Sequence, residues 1–233
     1  MEEGQQRLPL AVSEPALQAR SLYRFFHAGD DETLALQGVS LTVERGEMVA
    51  VVGPSGSGKS TLLACLAGMD DPDGGTVHVA GERLSRRPER ERRALRARHI
   101  GMLFQSGNLV DHLTVAGNVE LAQRLAGRPD RGRAVALLEE LGLAGRAGAV
   151  PSRLSGGELC RAGIAVAAAN DPAVLLADEP TGEVDSATEQ RVLDLLRERA
   201  RRGGAVLVVT HSEAVAAVAG RVLTLADGRV VGA

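Results

Sequence analysis

The stretch Gly53-Pro54-Ser55-Gly56-Ser57-Gly58-Lys59-Ser60-Thr61 decides how the rest of this chain is read. The apolar run Met48-Val49-Ala50-Val51-Val52 precedes it, and Leu62-Leu63-Ala64-Cys65-Leu66-Ala67 follows. The order is strand, glycine-rich turn, helix, which is the setting a phosphate-binding loop requires. Glycines let the backbone wrap a phosphate with its N–H groups inward, where side chains would block the approach. The helix start adds unpaired N–H donors and the positive end of its dipole. In such a loop Lys59 reaches the β- and γ-phosphates of a nucleotide, and the Ser60 hydroxyl is placed to ligate Mg²⁺. A Gly/Ser linker between two apolar segments would leave this framing unexplained. Lys59 is also the only lysine in the chain. A composition that otherwise uses arginine keeps one lysine where a compact ammonium is needed.

Working outward, 233 residues leave room for one large α/β domain or for two lobes. The apolar fraction is 44%, yet only three Phe, one Tyr and no Trp contribute, so the core must be aliphatic. A net charge of −3 argues against a general nucleic-acid binder. The arginines from Arg83 to Arg98 are interleaved with glutamates and read as a solvated helical face. Cys65 and Cys160 are far apart and form no Cys-x-x-Cys pair, which suggests neither a zinc site nor a disulfide framework. The opening Met-Glu-Glu lacks the basic and apolar regions of a signal peptide. No apolar run approaches the ~18–20 residues of a membrane span. The expectation is a soluble, intracellular chain.

Taken in order, residues 1–16 read as a loose polar tail. Strand-like spacing then runs from Ala19 to Phe26 and from Leu36 to Val43, with a turn at Ala28-Gly29-Asp30-Asp31. In the second run Val39, Leu41 and Val43 share one face, with Ser40, Thr42 and Glu44 opposite. A turn over Asp71–Gly75 leads to a short strand, Thr76 to Ala80. Pro88 to Arg98 reads as a charged helix and Ile100 to Phe104 as a buried strand ending at Gln105. From Ser106 to about Ala169 the periodicity is helical, with no convincing strand until Val174. Val174-Leu175-Leu176-Ala177 is a continuous apolar strand, as expected where helices cover both faces of a parallel sheet. A helix Ser186–Arg201, a strand Ala205–Val209, a helix around Glu213–Ala219 and a final hairpin across Asp227-Gly228 complete the chain. The expected architecture is α/β: a P-loop core with a mainly parallel sheet, an N-terminal antiparallel β subdomain and an all-helical insertion over 106–169, all within a single domain.

Asp178-Glu179 falls at the carboxyl end of the Val174–Ala177 strand, where open α/β sheets bind ligands. Asp178 is the expected carboxylate for the P-loop Mg²⁺. A carboxylate one residue on points elsewhere and can polarise a water, which makes Glu179 the expected general base. The loop Pro180-Thr181-Gly182 that follows argues against a simple helix cap. His211, after the strand Ala205–Val209, is either a surface histidine or, at the ligand edge, a γ-phosphate contact. Leu154-Ser155-Gly156-Gly157-Glu158 is a second glycine-rich helix start, with Ser155 as N-cap and Glu158 at the capping-box spacing. One nucleotide needs one P-loop, so a second anion site of this kind suits a γ-phosphate held by another subunit.

With these motifs in hand the chain resembles the nucleotide-binding subunit of ABC transporters, over essentially everything after the tail. The motifs stand in the family's order: the P-loop, Gln105 (Q-loop), Leu154–Glu158 (signature), Val174–Glu179 (Walker B), Glu183-Val184-Asp185-Ser186 (D-loop) and His211 (switch histidine). Phe104-Gln105, Asn108-Leu109, Leu113-Thr114-Val115, Asn118-Val119 and Leu176–Gly182 resemble the lipoprotein-release, macrolide-export and cell-division branch. The resemblance implies an ATPase that closes head to tail around two ATP with Mg²⁺. Gln105 would join the metal and nucleotide contacts, and Ser155, Gly156, Gly157, Glu158 and Asp185 would serve the ATP of a second nucleotide-binding subunit, identical or not. It implies a membrane permease partner, no nucleic acid, and a cytoplasmic place on the inner face of the cell membrane. Alignment through Gly29 assigns the adenine-stacking aromatic to Phe26, with Tyr23 as the alternative. Leu159-Cys160 stand where the family usually has two glutamines, and Val166 where it usually has arginine. Against the transporter reading stand a regulatory ATPase acting on membrane partners and a nucleotide switch with little turnover; a P-loop kinase would not need the signature.

Overall fold

The structure, a computed structural model, describes residues 14–28, 31–182 and 184–232. Most of the tail expected over 1–16, the turn tip Gly29-Asp30 and Glu183 lie outside the described residues. β1 (Leu17–Ala28), β2 (Asp31–Val43) and β3 (Met48–Val52) lead into α1 (Lys59–Leu66). β4 (Gly74–Val79), β5 (Glu82–Arg83), α2 (Glu89–His99) and β6 (Ile100–Leu103) follow. Three helices come next: α3 (Val115–Leu125), α4 (Arg131–Glu140) and α5 (Gly156–Ala168). β7 (Val174–Asp178), α6 (Ser186–Arg201), β8 (Ala205–Val209), α7 (Glu213–Val218), β9 (Arg221–Ala226) and β10 (Arg229–Gly232) end the chain.

The strands form two sheets. One is antiparallel with the order β2-β1-β4-β5, and the other has the order β10-β9-β3-β8-β7-β6. In the second sheet β9, β3, β8, β7 and β6 run parallel, and the closing β9–β10 pair is antiparallel. The α/β architecture expected from the sequence is therefore the one observed. Two details differ. β4 begins at Gly74 rather than Thr76, because Gly74 already pairs with Tyr23 beyond a register shift in β1 between Arg20 and Tyr23. The helical cover of the parallel sheet is also only partial on one of its two faces. One face carries α1 together with the antiparallel sheet, and the other carries the later helices.

This layering explains the unbroken apolar strands. Successive side chains point to opposite faces. Val49, Val51, Val174, Leu176, Leu207 and Val209 enter a core shared with α1, β1 and β2. Met48, Leu175, Ala177, Val206 and Val208 enter another shared with α3 to α7. β2, covered on one face only, shows the alternation instead: Val39, Leu41 and Val43 are buried, and Ser40 and Glu44 are exposed. No helix among the described residues is long and apolar enough to cross a membrane.

Register fixes the site. Val51 pairs with Val209, Asp178 with Val209, and Leu103 with Ala177. The carboxyl ends of β3, β8, β7 and β6 therefore reach one edge together. The segments leaving them begin at Gly53, Thr210, Glu179 and Phe104.

Candidate active site

At that edge lies a cleft of about 740 Å³, within the size range of small-molecule sites. Its floor is the turn entering α1, with Ser55, Gly56, Gly58, Lys59, Ser60 and Thr61 on the wall. Gly53, Pro54 and Ser57 of the same turn do not line the cleft. The turn is shaped by close backbone approach. A Cβ at Gly53 would fall 2.0 Å from the Leu225 carbonyl oxygen, and one at Gly58 would fall 2.4 Å from that of Ala35. Gly228 N donates to Ser57 O at 3.0 Å, so the β9–β10 turn braces the loop from the other side. Gly56 by contrast faces open space, where a ligand can meet the backbone.

Lys59 is only 7% exposed. Its ammonium donates to Gly53 O at 2.8 Å and Pro54 O at 2.9 Å. Burial holds its pKa below the ordinary lysine value, opposed by the charges of Glu179 and Asp178. Burial raises Asp178 above the usual carboxylate range, with Glu179 adding to it and Lys59 opposing. The cation and the two carboxylates thus share one desolvated edge.

Glu179 adopts a positive φ of 43°, a conformation that costs L-residues roughly 1–2 kcal/mol. The turn carries its side chain to the neighbouring strand end. Thr210 Oγ1 donates to Glu179 Oε2 at 3.0 Å, and His211 N donates to the same oxygen at 3.2 Å. Oε1 is buried without a hydrogen-bond partner among the described residues, and His211 Nε2 lies 3.7 Å from it. One carboxylate oxygen is therefore held, and the other is left as an acceptor. Thr210 was not singled out in the sequence; a hydroxyl next to His211 at a strand end was the available signal.

Phe26, 43% exposed, forms the far wall of the cleft with Thr33, Leu34 and Gln37. The Arg24 guanidinium lies over its ring, 4.9 Å from the centroid. That guanidinium is fixed by Asp70 at 2.7 Å and Asp73 at 3.1 Å. Tyr23 does not line the cleft and packs against Gly38 and Gly74. Gln105 lines the cleft from the end of β6.

The family model for ABC transporters matches residues 36–182. The chain belongs to the ABC transporter family. Macrolide export ATP-binding/permease protein MacB of Burkholderia thailandensis is 45% identical over 224 residues, which are 95% of this chain and 34% of that protein. MacB of Rhodopseudomonas palustris is 46% identical over 218 residues, 92% of this chain and 33% of its own length. The chain thus spans about a third of the curated relatives it matches. Among solved structures, the dimeric bacterial ABC transporter cassette MJ0796 is 35% identical with a TM-score of 0.85, covering 93% of this chain and 97% of its own. A second structure of MJ0796, a post-hydrolysis state bound to ADP and Pi, aligns with the same score at 34% identity. By family and fold the chain is an ABC cassette.

The cassette does not bring all the expected residues together. Ser155, Gly156, Gly157, Glu158 and Asp185 lie outside the cleft. Ser155 caps α5 and the capping box is complete: Glu158 N donates to Ser155 Oγ at 3.3 Å, and Ser155 N donates to Glu158 Oε2 at 2.9 Å. Those bonds, with Arg146 at 2.8 Å, hold the Glu158 pKa below the usual carboxylate range. Gly157 packs on the start of α6, where an added Cβ would meet Thr188 Cγ2 at 2.9 Å. Asp185 caps α6, accepting from Thr188 N and Thr188 Oγ1, both at 2.9 Å. Leu159 and Cys160 line a second groove of about 560 Å³ with Gln105, Phe104, Leu109 and Pro180. Cys160 Sγ donates to Pro180 O at 3.2 Å, and burial pushes its thiol pKa up to about 11.

The residues present fit a nucleotide with Mg²⁺. The glycine cradle, its ammonium and an aromatic wall suit a nucleoside triphosphate. Among the described residues no group of three or more His, Cys, Asp or Glu is arranged to hold a metal ion by itself. Mg²⁺ on a nucleotide needs only one or two protein oxygens besides phosphate and water, and Ser60 and Asp178 offer them.

Proposed function

We propose that two copies of this cassette, or this cassette and a related one, close head to tail around two ATP and drive a membrane permease. In each site adenine stacks on Phe26, the triphosphate lies along Gly53–Thr61, and Lys59 exchanges its carbonyl partners for β- and γ-phosphate oxygens. Ser60, Asp178 and Gln105 hold Mg²⁺, which supplies charge neutralisation on the phosphates. Glu179 Oε1 accepts the proton of the attacking water, while Oε2 stays fixed by Thr210 and His211 N. His211 faces the γ-phosphate. Ser155, the N–H groups of Gly156 and Gly157, Glu158 and Asp185 complete the site of the opposite subunit.

The observation that carries this reading is the division of the site: one cleft gathers Phe26, Lys59, Gln105, Asp178, Glu179 and His211, and the signature helix start lies outside it. A contact repeated twice in a two-fold pair is the closed arrangement expected of a homodimer. The groove lined by Phe104, Gln105, Leu109 and Leu159 suits the permease, whether that is a further segment of the same polypeptide or a separate subunit. The cassette would then work on the inner face of the cell membrane, with the whole chain acting as one domain.

Sedimentation of Glu179→Gln with ATP and Mg²⁺ tests the closed pair. A dimer is expected, and Ser155→Arg in the same background should remain monomeric while still binding ATP. Loss of ATP binding by monomeric Ser155→Arg would place that residue in its own subunit's pocket and overturn the reading.

A further inference from the structure

The loops that follow β7 and β8 are tied together a second time, away from the cleft, by one carboxylate. Glu189 lies in the first turn of α6 and does not line the cleft. Its Oε1 accepts from Thr181 Oγ1 at 3.1 Å and from Ser212 Oγ at 2.8 Å. Thr181 follows Glu179 by two residues, and Ser212 follows His211 directly. Ser212 Oγ also accepts from Val215 N at 3.4 Å as the cap of α7.

An acidic residue in a first helical turn is often there only for the helix dipole. Such a residue turns its carboxylate to solvent or to its own helix start. Glu189 instead spans two loops from two other strands. Facing the cleft, the same loops meet through Thr210 Oγ1, His211 N and Glu179 Oε2. The Glu179–His211 pair is thus braced from both sides.

We infer that Glu189 is a positioning residue for hydrolysis: its carboxylate oxygen sets the separation of the loops that carry Glu179 and His211. This rests on the reading of Glu179 as the base. Removing the acceptor frees the loops to move apart and shifts the base against the attacking water. Small misplacements of this kind are costly, on the order of 10²-fold for about 1 Å. The P-loop and Phe26 are untouched, so nucleotide affinity stays as it is.

The test is steady-state ATPase of the full chain, with affinity for a non-hydrolysable ATP analogue and the thermal midpoint measured alongside. Glu189→Ala should lower kcat by about 10–100-fold, with KM and analogue affinity at wild-type values. Glu189→Gln should restore kcat, since an amide oxygen still accepts from both hydroxyls. Thr181→Val and Ser212→Ala should each lower kcat by less. Wild-type kcat in Glu189→Ala, equal losses in Glu189→Ala and Glu189→Gln, or a matching fall in analogue affinity would each overturn the assignment. Glu179→Gln separates the two levels. Normal turnover there removes the base assignment itself, whereas an inactive Glu179→Gln beside a normal Glu189→Ala removes only the brace.

Discussion

The chain contains two glycine-rich helix starts, and they are built in opposite ways. The one at Gly53–Thr61 is closed over by its own chain at Gly53 and Gly58 and open toward the cleft at Gly56. Backbone from Ala35 and Leu225 stands where Cβ atoms would be, and the Gly228 amide braces Ser57. The one at Ser155–Gly157 is open at Ser155 and Gly156. Ser155 and Gly156 are exposed, and an added Cβ at Gly156 would meet nothing within 4 Å among the described residues. The first is stiffened by strands on both sides and carries its cation inside. The second has its capping box, the packing of Gly157 on Thr188 and the Arg146–Glu158 pair. A site shaped entirely within one molecule needs nothing but its ligand; a helix start left open, on the proposed reading, waits for a ligand carried by a second molecule.

The largest expected effect lies in the closed region. Glu179→Gln keeps shape and removes the proton acceptor, so turnover should fall by about 10²–10⁴ with ATP still bound. Near-normal hydrolysis by a pure preparation would end the assignment of Oε1. Next come the glycines themselves. Gly53→Ala must displace the Leu225 carbonyl, and unfolding in urea should register a loss of roughly 1–3 kcal/mol. Gly156→Ala should change stability by no more than about 0.5 kcal/mol. Equal costs at the two positions would break the contrast between a closed and an open start.

Nucleotide affinity sharpens the comparison further. Phe26→Ala should weaken ATP binding by about 1–3 kcal/mol, the range for a base on an aromatic face. Tyr23→Ala should not weaken it, because Tyr23 packs on Gly38 and Gly74. The reverse result, by calorimetric titration, would move the adenine to Tyr23. The smallest effect belongs to the open region. Leu159→Gln with Cys160→Gln should cost less than about 1 kcal/mol of stability, the scale of one hydrogen bond. Turnover should not rise, since Cys160 already bonds Pro180 O and Leu159 is part of a groove wall. A clear gain in turnover would show that the family's amides do polar work here that the apolar pair forgoes.

The closed start was legible because its signals are local: an apolar pentapeptide, glycines at fixed offsets and a helix. The same holds for the Val174–Asp178 strand end and for the capping box, where residues three apart in sequence touch. What sequence reading missed joins distant segments. Nothing in the spacing placed Ala35 and Gly228 over the P-loop, since that depends on β2 of one sheet meeting the β9–β10 turn of the other. Phe26 was reached through the family's pattern, but the Arg24 guanidinium behind it needs Asp70 and Asp73, 46 and 49 residues away. Glu189 reads in the sequence as an ordinary helix-start acid. Only the fold brings Thr181 and Ser212, 8 and 23 residues off, onto one of its oxygens.

The solitary lysine has a practical consequence. Amine-directed acylation of side chains has a single target in this sequence, Lys59. That target lies at the centre of the phosphate cradle, nearly buried and turned onto two carbonyl oxygens. The rate at which a small activated ester modifies it therefore reports on occupancy and opening of the cradle alone, with no background from other side-chain amines. A bound triphosphate would protect it, and peptide mapping would read that protection at one residue without any engineered label.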